Sequence, residues 1–185
     1  MLHIIQNDPE VPPGNLLDHL TIPYIVHHPY RGERLPEIGD IAALIVMGGA
    51  MGANGDSRYP FLTDLKTLIR TVLTEEGRKD RLFDGITEKF KSFQWHNDSF
   101  DIPAGGLLLA ASADCPHQAF REGNSAWGVQ FHPEVTESII RGWCAWSRPT
   151  AAKADSMVAD FSSIADEYVA NSCQLVTNFI QSCPP

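Results

Sequence analysis

Positive charge is scarce in this chain of 185 residues: 14 Lys and Arg stand against 23 Asp and Glu, a formal net charge of −9. The few cations form no run and do not alternate with aromatics. The clustered contacts that a phosphate backbone demands are therefore missing, and nucleic acid is excluded as a partner. Long apolar runs are missing too. Nothing approaches the roughly 20 consecutive apolar residues that cross a bilayer. Met1-Leu2-His3-Ile4-Ile5 leads straight into a strand pattern without the basic flank of a secretory signal, so neither membrane nor export is expected. Cysteine is sparse: Cys115, Cys144, Cys173 and Cys183 form no C-x-x-C pair and match no zinc spacing. Four free thiols fit a reducing cytoplasm. There is no internal repeat and no low-complexity segment.

What is present fits one ordinary domain with a full core: 43% of residues are hydrophobic and 20% charged. Apolar runs at Leu2–Gln6, Tyr24–His27 and Ile41–Met47 read as strands, the first and third apolar on both faces as in buried parallel sheets. A helical piece is expected at Leu16–Leu20. Phe61–Leu73 carries Leu62, Leu65, Ile69 and Val72 at helical spacing. The alternation predicts an α/β sheet. Further on, Lys89–Phe93, Leu107–Ala111, Gln118–Arg121 and Trp127–Phe131 are short strands split by turn signals, as in hairpins at one sheet edge. Glu134–Trp146 reads as a helix and Ser147–Ala154 as a linker. Asp155–Ser182 is amphipathic with a break near Asn171-Ser172, serving either to pack on the domain or to meet a partner.

Chemistry concentrates in Gly128-Val129-Gln130-Phe131-His132-Pro133-Glu134. Trp127, Val129 and Phe131 share one strand face, and Pro133 ends the strand. His132 then sits at a strand's carboxyl end, where open α/β sheets bind ligands. Glu134, at the start of the next helix, is positioned to accept a proton from one imidazole nitrogen and leave the other as a base. Alone, the triplet fits a structural histidine as well. Met47-Gly48-Gly49-Ala50 follows a buried strand. It is either a tight turn or a loop whose backbone N–H groups face an anion or oxyanion. Trp95-His96-Asn97-Asp98 mixes imidazole, amide and carboxylate. His96 with Asp98 falls short of the three or four ligands a metal needs, so no metal is expected. His27 and His28 are expected to be exposed at a strand end.

Taken in order, these pieces resemble the class I glutamine amidotransferase family, in particular its stand-alone members similar to the glutaminase domain of GMP synthase. The resemblance runs from Met47-Gly48-Gly49 through Asp56-Ser57-Arg58-Tyr59-Pro60-Phe61, Leu82-Phe83-Asp84-Gly85-Ile86 and Trp95-His96-Asn97-Asp98. It continues through Ala113-Asp114-Cys115-Pro116-His117 to His132-Pro133-Glu134. It covers residues 1–147 and leaves 148–185 as a linker and helical tail. It implies a flavodoxin-like open sheet with helices on both faces. It also implies a Cys-His-Glu triad that hydrolyses glutamine to glutamate and ammonia, with His132 as base and acid and Glu134 orienting it. N–H groups near Gly48, Gly49 and Ala50 would form the oxyanion hole, and His96, Asn97 and Asp98 would lie by the glutamine pocket. No cofactor is implied.

One piece of the family pattern is missing. The nucleophile of the family sits in Gly-x-Cys-x-Gly on a strand-to-helix elbow, and no such motif occurs here. Thr71-Val72-Leu73-Thr74-Glu75-Glu76 runs directly into Gly77-Arg78-Lys79-Asp80-Arg81-Leu82. A central strand, the elbow and its helix are therefore inferred to be lost between Glu76 and Gly77. None of the four cysteines stands in a comparable setting. Three readings follow: an amidotransferase domain that does not turn over glutamine as written, a non-catalytic remnant that binds a ligand or partner, and a γ-glutamyl hydrolase of the same family. The expected partners are L-glutamine or a γ-glutamyl compound, with a separate synthase subunit or a second copy of the chain.

Overall fold

The computed structural model describes residues 1–52, 55–72 and 81–183. Three strands, β1 (Leu2–Ile5), β2 (Tyr24–His27) and β3 (Ala43–Val46), form a parallel sheet in the order β2-β1-β3. β1 is central and buried at every position, which is why its run is apolar on both faces. The connections carry α1 (Leu16–His19) between β1 and β2 and a loop with two 3-10 turns before β3. After β3 the chain passes the glycine turn and enters α2 (Phe61–Val72). The inferred junction at Glu76–Gly77, and Leu73 with it, lies outside the described residues.

The second half forms a separate antiparallel meander of β4 (Leu107–Ala110), β5 (Ala119–Glu122) and β6 (Ala126–Val129). The hairpins expected at one edge of a single sheet are thus real hairpins, but among the described residues no strand joins them to the parallel sheet. Among the described residues β3 and β6 each keep one open edge. Lys89–Phe93 is irregular. Only Phe93 pairs, through one bridge to His132, so this segment tethers the site instead of adding a strand.

The helix after the meander, α3 (Glu137–Trp146), starts three residues later than its pattern indicates. The Thr136 hydroxyl accepts from the Ile139 N–H and caps it there. Glu134 therefore lies in the turn before the helix. The stretch read as a linker contains a 3-10 turn at Arg148–Lys153 and leads into α4 (Ala154–Ser162) and α5 (Ala165–Ser182). The break falls at Ser163-Ile164 and not at Asn171-Ser172. Ser163 closes α4 by bonding the carbonyls of Ala159 and Asp160 from its backbone N–H, and that of Asp160 from its hydroxyl. Ser172 is instead buried inside α5.

α5 ties the core together. Tyr168 joins a cluster with Val135, Ile140, Trp143 and Phe161. Val176 packs with Leu2, Ile4 and Met47. Leu175 packs with Leu82, Ala119 and Phe131. The parallel sheet and the meander thus share one helix even though they share no strand. Among the described residues no helix is long and apolar enough to cross a membrane.

His27 is half-buried against His3, not free at a strand end. The two rings stack with centroids 5.1 Å apart, and His3 Nδ1 lies 2.9 Å from His27 Nε2. The neighbouring His28 bonds Glu33 through its ring and its backbone N–H. Burial first, and the His3 ring second, lower the pKa of His27 below its ordinary 6.5. The folded chain then binds fewer protons than the unfolded chain near pH 6. This contribution to stability is complete above pH 6.5 and is lost as pH falls through the lowered value. Thermal melts are expected to show a falling midpoint as pH drops from 7 towards 5.5, and His27→Gln should flatten that portion. The carboxylates of Glu33 and Asp56, both lowered, act only below about pH 4.5, so a fall confined to that range would contradict the assignment.

Candidate functional site

His132 leaves β6 through Gln130 and Phe131 and is held on its main chain from two sides. Its N–H donates to the Phe93 carbonyl at 2.9 Å, and its carbonyl accepts from the Tyr168 hydroxyl at 3.0 Å. Pro133 has no N–H to satisfy. The Glu134 carbonyl accepts from the Asn15 N–H at 3.1 Å, and the Val135 N–H donates to the Tyr168 oxygen at 2.7 Å. A turn with no regular structure of its own is thereby fixed by three distant segments of chain.

The result is a short contact between side chains. His132 Nδ1 lies 2.7 Å from Glu134 Oε1, with the imidazole 19% exposed and the carboxylate only 4%. A carboxylate oxygen accepts, so the contact fits the tautomer in which Nδ1 donates to Glu134 and Nε2 carries no proton. Nε2 has no hydrogen-bond partner among the described residues, and the ring lines a cleft of about 460 Å³. The Trp143 indole meets the imidazole edge-on at 4.9 Å, which limits its rotation.

The cleft lies between the two sheets. Leu44–Gly49 of β3 and the turn after it form one wall, Trp127–Glu134 of β6 and the turn after it another, and Leu175, Val176 and Phe179 of α5 contribute as well. The open edges of β3 and β6 thus border the same space. The glycine turn is clamped by the end of β1. The Asn7 side chain donates to the Met47 carbonyl at 2.6 Å, and Asp8 Oδ2 accepts from the Ala50 N–H at 3.0 Å. Nothing local to Asn7-Asp8-Pro9 signals this clamp.

Of the residues singled out from sequence, His132, Glu134, Gly48, Gly49 and His96 line this cleft. Ala50 does not, and its N–H is already taken by Asp8. Asn97 and Asp98 line a second cavity of about 370 Å³ with Cys115 and Gln118, and His96 borders both spaces. The His96 ring is held within its own loop, 2.9 Å from the Asp98 carbonyl and 2.9 Å from the Gln94 side-chain oxygen. Among the described residues no group of three or more His, Cys, Asp or Glu is arranged to hold a metal. None of the four cysteines lines the cleft with His132. Cys115 is buried beside Ser99, and Cys144 is fully buried against Met157. Cys173 and Cys183 lie on or just past α5, where burial pushes the Cys183 thiol up.

Residues 63–140 match the profile of a family described as glutamine amidotransferase class-I. The chain is 31% identical over 103 residues to a subunit of the glutamine-hydrolyzing GMP synthase of Pyrococcus abyssi (strain GE5 / Orsay), covering 52% of this chain and 50% of that one. It is 29% identical over 144 residues to the glutamine-hydrolyzing GMP synthase of Syntrophomonas wolfei, covering 74% of this chain and 27% of that one. The match thus spans half or less of each of these relatives. Among solved structures, a glutamine amido transferase from Methylobacillus flagellatus superposes with a TM-score of 0.82 at 24% identity, over 99% of this chain and 95% of that one. A glutamine amidotransferase from Thermotoga maritima gives 0.83 at 19%, over 98% and 96%. At these identities the superpositions establish the fold, the flavodoxin-like α/β class expected from the sequence.

Gly14 permits the close approach of Asn15 to the Glu134 turn. Its φ is +52°, and an added Cβ would collide with the Glu134 carbonyl oxygen and lie 2.7 Å from Ile139 Cδ1. Gly14→Ala is expected to lower stability by at least about 2 kcal/mol in urea unfolding, combining left-handed strain with the clash. Gly32→Ala, also at positive φ but with nothing within 4 Å, should lose only the backbone part, about 1 kcal/mol. Equal losses would show that the contact with Glu134 is not tight.

Proposed function

We propose that the chain is a class I glutamine amidotransferase domain, on the match of residues 63–140 and the similarity to GMP synthases, and that its cleft is the glutamine-hydrolysing site, with base and orienting carboxylate in place and the nucleophile absent. The observation that carries this reading is the His132–Glu134 pair bordering a cleft that contains no thiol. With a thiol in that cleft, the chemistry would balance as follows. The sulfur attacks the side-chain amide carbon of glutamine while His132 Nε2 takes the thiol proton. His132 returns that proton to the nitrogen as the C–N bond breaks and ammonia leaves. Water, activated by the same nitrogen, then splits the thioester to glutamate and free thiol. Glu134 holds the tautomer throughout.

Without the thiol the first step has no attacking atom. Where nucleophile and base act as a unit, losing the nucleophile removes on the order of a millionfold in kcat. The open edges of β3 and β6 on the two sides of the cleft support the loss of a strand that once lay between them. The same observations favour a second reading, in which the cleft binds L-glutamine or a γ-glutamyl compound without turning it over. The Pyrococcus abyssi relative, itself one subunit of a synthase, supports a separate synthase chain as the recipient of this domain, and four free thiols support a cytoplasmic setting.

Glutamate release from glutamine tests the proposal. Protein of the correct mass is expected to release none above background, with His132→Ala indistinguishable. Release that disappears in His132→Ala would place a working nucleophile in the cleft and overturn the reading.

A further inference from the structure

We propose that Tyr168, on α5, is the positioning residue for the His132–Glu134 pair, which makes the C-terminal helix a working part of the site. Tyr168 is 1% exposed, and its hydroxyl touches both ends of the turn that carries the pair. It donates to the His132 carbonyl at 3.0 Å and accepts from the Val135 N–H at 2.7 Å. These two groups bracket Pro133 and Glu134, so one oxygen sets the span between the residues before and after them. The His132 carbonyl also faces Phe93 in the bridge between them, whereas the Val135 N–H is held by the Tyr168 oxygen. Remove the hydroxyl and the Val135 N–H loses its partner while the His132 carbonyl keeps only the Phe93 bridge. The turn would then be free to relax, and the side-chain contact of 2.7 Å depends on the turn holding its shape.

The surroundings agree with a fixed hydroxyl and not a titrating one. Burial, reinforced by the nearby Glu134 carboxylate, pushes the phenol pKa up, so Tyr168 remains a neutral donor across the working range. Its ring is set by Phe161, edge-on at 5.0 Å, which separates ring packing from hydroxyl bonding as two testable contributions.

The role rests on reading His132 as the base, but the geometry it controls exists without turnover, so its test uses no substrate. The measurement is a 15N-edited NMR spectrum of the imidazoles in the full chain, with hydrogen exchange at His132 Nδ1. Tyr168→Phe keeps the ring and removes the hydroxyl. It is expected to speed Nδ1–H exchange at least about tenfold, the factor that a lost hydrogen bond to a buried group carries, and to shift the His132 ring nitrogens towards a tautomer mixture. Glu134→Gln should do the same. Phe161→Leu loosens the ring packing and should lower the melting temperature while leaving the His132 signals in place. Unchanged His132 signals in a folded Tyr168→Phe chain would overturn the proposal, as would equal changes in Phe161→Leu. Should Tyr168→Phe not fold, the wild-type chain answers through the Val135 amide. Slow exchange there, on the scale of core amides, supports the anchored turn, and exchange at the rate of an open loop overturns it. A chain that fails to bind glutamine would sink the function proposed above and leave this inference standing.

Discussion

The contact between His132 Nδ1 and Glu134 Oε1 depends on a turn that cannot hold itself. Pro133 lacks a donor, Glu134 precedes the helix and does not open it, and the capped first turn of α3 begins only at Glu137. The turn takes its shape from Phe93, Asn15 and Tyr168, which come from three separate parts of the chain. Packing follows the same centre. Trp143 closes over the imidazole, Gly14 allows the β1–α1 loop to press against the Glu134 carbonyl, and Val135 and Ile140 carry the turn into the core shared with α5.

The second constraint is the gap beside that turn. A strand edge presents unpaired backbone groups and normally finds a neighbour or a cover. Here two such edges, β3 and β6, border one cleft, and α5 spans the two sheets through Leu175 and Val176. Stability has been kept by a helix where a sheet would ordinarily provide continuity. That explains how a chain read as missing a strand, elbow and helix still holds the His132 imidazole against the Glu134 carboxylate.

Much of this was legible in the sequence. Both-face apolar runs marked β1 and β3, and the spacing of turn signals marked the hairpins. The Gly-Val-Gln-Phe-His-Pro-Glu string marked the pair through its composition, although β6 ends at Val129, before the proline expected to stop it. What escaped lies in contacts across long separations. Nothing in Asn7-Asp8-Pro9 announces that two side chains reach 40 and 42 residues ahead to clamp the glycine turn. The helical stripe that includes Tyr168 reports which face is buried but not that its hydroxyl has two backbone partners. His27 looked like a strand-end residue because its partner, His3, lies on the neighbouring strand. Helix limits shifted for local reasons, a threonine cap before α3 and a serine stop after α4, that compete with periodicity and win.

Without a cysteine lining the cleft, His132 has no thiol to activate. An electrophilic ketone analogue of glutamine, incubated with the folded chain and followed by intact mass, tests it most directly. The mass is expected to stay at 20.4 kDa, while a small thiol reagent labels the cysteines once the chain is unfolded. A single stoichiometric adduct on one cysteine, lost in His132→Ala, would contradict it.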